Sequence, residues 1–97
     1  MIKHIVMFKF KEDCSCEKIE TAREMALALK GKVPQIKDIR VGINSDKAPE
    51  SNYTIVLDVD FETIDDLNAY QVNPNHLEFG KFIKELRTDR ACIDYEY

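Results

Sequence analysis

Residues 2–10 read IKHIVMFKF, and no other run in the chain limits the fold as tightly. Taken as a strand, it puts His4, Val6, Phe8 and Phe10 on one face and Lys3, Ile5, Met7 and Lys9 on the other. Both faces are largely apolar, with lysines only toward the ends. A strand that is apolar on both sides is covered on both sides. The chain must therefore lay a helical layer on one side, and something must cover the other.

The remaining segments supply that layer. Ser15 is placed as an N-cap for a helix to about Lys30, with Ile19, Ala22, Ala26 and Leu29 as its apolar stripe and Gly31 as its stop. A second strand spans roughly 36–44, with Ile39, Val41 and Ile43 on one face. Residues 44–52, NSDKAPESN, are a polar loop. The third strand, 53–61, alternates most regularly: Tyr53, Ile55, Leu57, Val59 and Phe61 against Thr54, Val56, Asp58 and Asp60. Thr63 caps a short helix, with Asp66 as reciprocal cap and Ile64, Leu67 and Tyr70 facing inward. Asn73 and Pro74 form a cap followed by a first helical residue, so a new helix starts there and runs to about Leu86. A last strand spans 90–96.

The order is β-α-β-β-α-β with the second helix broken in two. It predicts a ferredoxin-like α+β fold, a four-stranded antiparallel sheet with helices on one face. At 97 residues the chain is one domain, 1–97. By size scaling it buries somewhat under about 70% of its unfolded surface. The bare sheet face predicts a homodimer through the side opposite the helices.

Composition narrows the partners. The net charge is −4, from 14 basic and 18 acidic residues, and the basic residues form no stripe. Nucleic acid needs a positive surface, so none is expected as a partner. No apolar run approaches the length of a membrane span, and the N-terminus lacks a cleavage-site pattern. No membrane partner is expected. Three cysteines, Cys14, Cys16 and Cys92, are an odd number without a secretion signal, which predicts free thiols and a cytoplasmic location. The CSC at 14–16 has no second ligand pair at zinc spacing, so no metal is expected.

One stretch carries chemistry. In YQVNPNHLEFG, residues 70–80, His76 stands at the head of a stripe with Phe79, Ile83 and Leu86. It lies in the first turn, where a helix N-terminus disfavours imidazolium, so a neutral ring able to accept a proton is expected. Tyr70, ending the preceding helix, can point to the same place. The plain alternative is a hydrogen-bonded histidine closing the core. His4 lies on the strand face that meets the helices. His4 and His76 without nearby carboxylates make a poor metal site.

Together, IKHIVMFKFK, the P-x-I-x-x-I-x-V-G of Pro34–Gly42, YTIVLDVDFET, LNAYQVNPNHLEFG and the closing CIDYEY resemble the stress-responsive A/B barrel, or Dabb, domain over nearly the whole chain. The resemblance implies a dimeric α+β barrel. Most members of that family have no assigned activity. One plant member is a cofactor-free polyketide cyclase whose catalytic tyrosine and histidine match Tyr70 and His76; there the histidine is the base and the tyrosine orients the substrate. The first histidine of the family's H-P-x-H is Asn73 here, which caps a helix but takes up no proton. A ligand between sheet and helices would meet His4, Val6, Phe8, Leu57, Phe79 and Gly80.

Three readings follow. The chain binds a small apolar or acidic ligand; or it is a cofactor-free enzyme, cyclase-like or monooxygenase-like, using His76 as base and Tyr70 as donor; or it is a structural dimerisation module. The first two need a cavity reaching His76, and the third needs that space filled.

Overall fold

The computed structural model describes all 97 residues. The first strand, β1 (Ile2–Phe10), is followed by α1 (Cys16–Lys32), β2 (Asp38–Ile43), β3 (Ile55–Phe61), α2 (Ile64–Val72), α3 (Pro74–Leu86) and β4 (Arg87–Glu96). The sheet runs in the order β2-β3-β1-β4, and every neighbouring pair is antiparallel. The helices cover one face, so the ferredoxin-like α+β architecture is present as the element order requires.

The core follows from the two periodicities. Val6, Phe8 and Phe10 of β1 and Ile55, Leu57, Val59 and Phe61 of β3 point one way and are buried. Onto them pack Ala22, Ala26 and Leu29 of α1, Leu67 and Tyr70 of α2, and Phe79, Ile83 and Leu86 of α3. The caps hold as read. Ser15 Oγ accepts from Lys18 N–H at 3.2 Å, Thr63 Oγ1 from Asp66 N–H at 3.1 Å, and Asn73 Oδ1 from Asn75 N–H at 2.9 Å. The reverse bond expected of Asp66 is not made; an aspartate is one methylene shorter than the glutamate such a box uses.

Four expectations are corrected. Gly31 does not stop α1: the helix continues through Lys32, and no glycine has positive φ. The stop is Val33, which is extended at φ −116°, ψ 104° and precedes Pro34, a neighbour that disfavours helical backbone. Ile64 is 50% exposed rather than inward. Each step of three residues falls about 60° short of a full turn, so two steps back from Tyr70 leave the buried stripe. Along β2 burial fades from Ile39, which is buried, through Val41 to exposed Ile43, because α1 covers only the start of this edge strand. Finally, β4 begins at Arg87, three residues earlier than the pattern suggested.

The opposite sheet face has no cover within the chain. Its middle is apolar: half-buried Ile5 and Val56 with exposed Met7 and Ile93. Beside this strip lies an ion cluster. Lys3 Nζ reaches Asp58 at 3.0 Å and Asp60 at 2.8 Å, while Arg40 bonds Asp58 at 3.2 Å and Asp60 at 2.9 Å. The Tyr97 hydroxyl donates to Asp60 at 2.9 Å. Burial alone would raise the Asp60 carboxyl, but Lys3, Arg40 and Tyr97 outweigh it and bring the carboxyl down to about 2. No helix is long and apolar enough to cross a membrane.

Candidate functional site

A cavity of about 130 Å³ lies between the sheet and α3. Strand alternation aims His4, Val6 and Phe8 of β1 and Leu57 of β3 into it. Tyr70 comes from the last turn of α2. His76, Phe79 and Gly80 come from the first two turns of α3. The break at Asn73–Pro74 lets two helix ends meet over one spot: the Tyr70 and His76 rings are 4.3 Å apart between centroids. Thus the structure gathers around one cavity the two residues expected to act on a ligand and the six expected to line its site. It adds Ile83, which sits one helical turn beyond Phe79, and Arg87 and Arg90 of β4.

Tyr70 is 1% exposed. Burial pushes its phenol well above the ordinary value, Cys92 adds to the rise, and no hydrogen bond from a neighbour acts on it. The hydroxyl is therefore a fixed, protonated donor with no partner in the protein. His76 is half-buried, and its Nδ1 lies 3.2 Å from the Gln71 carbonyl. A carbonyl only accepts, so Nδ1 carries the hydrogen and Nε2 keeps its lone pair. Burial lowers the His76 pKa, and His4 and Arg90 push the same way against the Gln71 bond. The lowering favours the neutral ring, and burial rather than the helix end is its first cause.

His4 is 3% exposed, with its ring edge-on to Phe61 and 6.0 Å from Tyr70. Its Nδ1 lies 2.5 Å from Asp94 Oδ1. The carboxylate accepts from Nδ1, which fixes the orientation of the ring. Sequence reasoning left His4 without a carboxylate. The signal that could have supplied one is register: the last strand runs antiparallel beside the first, His4 opposite Asp94 and Val6 opposite Cys92.

This corner also bears on metal binding. His4 Nδ1, Cys92 Sγ and Asp94 Oδ1 lie within 4.8 Å of one another. An ion needs about 2.0–2.3 Å to each ligand and roughly tetrahedral angles, which separates nitrogen and oxygen by more than their present 2.5 Å. Burial and Asp94 raise the Cys92 thiol, which disfavours the thiolate a metal wants. The trio is arranged as a hydrogen-bonded group. Cys14, Cys16 and Cys92 are all free thiols.

A larger hollow, about 600 Å³, lies on the open side of the sheet against Met7, Gly42, Val56 and the 44–54 loop. Its only ionisable side chain is Tyr53, whose hydroxyl already donates to Asp89 at 2.8 Å. It offers no proton-transfer chemistry, so the smaller cavity is the candidate site.

Comparison with known proteins agrees with this fold. Olivetolic acid cyclase from Cannabis sativa is 26% identical over 95 residues, covering 97% of this chain and 94% of that protein. A crystal structure from Bacteroides fragilis, described as a dimeric protein of unknown function with a ferredoxin-like fold, is 33% identical. It has a TM-score of 0.83 over 99% of this chain and 95% of its own. An Arabidopsis thaliana protein is 26% identical, with a TM-score of 0.87 over 100% of this chain and 95% of its own. The family model described as Stress responsive A/B Barrel Domain matches residues 2–97, and the chain belongs to that family.

Proposed function

We propose that this protein binds a small organic molecule in the cavity between sheet and helices and that His76 and Tyr70 act on it as base and donor, with no cofactor. The observation that carries this reading is the Tyr70 hydroxyl, held protonated on a side chain that lines the cavity and without a hydrogen bond in the protein. The one fully enclosed side-chain polar atom without a partner is Gln35 Oε1, so the Tyr70 hydroxyl is reachable from the cavity, where a ligand can pair it. A cavity of about 130 Å³ is close to the roughly 150 Å³ that accepts one benzene-sized ring.

The chemistry that suits these groups is proton abstraction beside a carbonyl. His76 Nε2 takes the proton from carbon, the electron pair moves onto the carbonyl oxygen, and the Tyr70 hydroxyl stabilises the oxygen as charge develops. His4, held by Asp94, is a second imidazole at the same cavity. A likeness to a cyclase supports reactions of this kind. A dimerisation module alone would leave the cavity and the unpaired phenol without a purpose.

The chain works as a homodimer in this reading, the apolar strip of Ile5, Met7, Val56 and Ile93 covered by a second copy. The dimeric state of the Bacteroides relative supports it. The test is a fragment screen by NMR on the full chain. Ligands should shift amides around Tyr70, His76 and Gly80, and His76→Ala should abolish those shifts at an unchanged melting temperature. Shifts confined to other surfaces, or a loss of stability alone, would return His76 to the core.

A further inference from the structure

Arg87 and Arg90 are three residues apart, a spacing that in a regular strand places two side chains on opposite faces. Here both line the same cavity. The pairing with β1 explains it. Phe8 lies opposite Arg90 and Lys9 opposite Asp89, but Phe10 lies opposite Arg87. Thr88 is left over as the extra residue of a β-bulge, its hydroxyl donating to the Lys9 carbonyl at 3.3 Å. Bulges of this kind re-aim a side chain at the end of a ladder. This one turns Arg87 onto the face of Phe8 and Phe10, beside Arg90.

Neither guanidinium group is held in a salt bridge, although Arg87 lies near enough to Asp89 to lower its carboxyl and Arg90 reaches the Cys92 thiol. The chain has four arginines. Arg23 is paired with Glu20, and Arg40 with Asp38, Asp58 and Asp60. Neither Arg87 nor Arg90 makes a salt bridge, and no carboxylate lines the cavity. The two acids closest along β4 are engaged elsewhere, Asp94 with His4 and Asp89 with Tyr53 and the Arg90 N–H. In a chain of net charge −4, this is a positive rim on a hollow walled by Val6, Phe8, Leu57, Phe79 and Ile83 beside the two histidines. Arg90 is felt inside it, lowering the pKa of His76 and opposing the rise at Cys92.

We propose that Arg87 and Arg90 form an anion-reading mouth, and that the molecule this site takes is a small carboxylate whose body is about one ring or one short chain. The inference rests on the cavity being a ligand site. The planar fork of a guanidinium matches a carboxylate with two parallel hydrogen bonds, and a charge-assisted pair outweighs a neutral one. The apolar body then packs on Leu57, Phe79 and Ile83, which brings it toward Tyr70 and His76.

The experiment is calorimetric titration of the full chain with benzoate and hexanoate, and with their neutral isosteres benzamide and hexanamide. An acid should bind at least about tenfold more tightly than its amide, and added salt should narrow the gap. Arg87→Gln with Arg90→Gln should bring acid and amide to the same affinity. Arg→Lys at both positions, which keeps charge but loses the fork, should retain part of the preference. Thermal melts of each variant show whether it is folded. Equal affinity of acid and amide in the unaltered protein overturns the arginine assignment and leaves the cavity reading standing. If neither acid nor amide of either body binds, both readings fall.

Discussion

Tyr70 fills core volume and presents a hydroxyl, and two substitutions separate these roles. Tyr70→Phe removes an unpaired group, so the melting temperature should move by no more than about 3 °C, while ligand affinity falls several-fold. Tyr70→Ala removes a ring that packs on Phe61 at 5.1 Å and should cost about 3–5 kcal/mol. Paired thermal melts and titrations check both. An equal loss of stability in the two variants would mean that the hydroxyl has a structural partner. His76 gives a pH signature. Its folded-state pKa is held below the ordinary 6.5, mainly by burial, so on acidification the unfolded chain takes up the proton first. Its contribution to stability is complete above about pH 6.5 and declines below it until the folded ring also titrates. An NMR titration of the ring should give a midpoint under 6.5, and a midpoint above that value would remove the neutral base from the mechanism.

At the scale of elements, the two helix glycines make opposite predictions for binding. A Cβ on Gly31 meets nothing and the residue has no positive φ, so Gly31→Ala should stabilise α1 by about 0.5–1 kcal/mol with no effect on ligands. Gly80 also has room for a Cβ, but that room is the cavity. Gly80→Ala should raise the melting temperature similarly while weakening binding of a ring-sized probe. The same elements show what the sequence could reveal. The alternation of His4, Val6 and Phe8 and the stripe of His76, Phe79 and Ile83 are local periodicities, and they located the cavity wall. The helix stop lies not at Gly31 but at Val33, where the residue before Pro34 disfavours helical backbone. The arginine rim stayed hidden because an odd spacing hides two residues that share a face, and the bulge at Thr88 exists only once β4 lies against β1. The link between His4 and Asp94 depended on that pairing too, 90 residues apart in the chain.

For the whole molecule, the uncovered sheet face decides assembly. Ile93→Asp places an unpaired charge in the apolar strip, and it should weaken self-association at least about tenfold while the far-ultraviolet spectrum is kept, as sedimentation can show. If the unaltered chain sediments as a monomer at high concentration, the homodimer reading fails. Asp60 makes the fold acid-sensitive in a defined window. Its carboxyl is held at about 2 against an ordinary 3.8, so its contribution is full above about pH 3.8 and disappears as pH falls through about 2. Asp60→Asn should flatten that acid limb in denaturation curves. The ion cluster around Asp60 bears on the meeting of two copies as well. Lys3, Lys30 and Arg40 carry three positive charges and Asp38, Asp58 and Asp60 three negative ones, so the patch cancels itself within a single subunit. Bringing two such patches together sets no net field of one sign against another, and the affinity of one copy for the other should barely change between dilute buffer and half-molar sodium chloride.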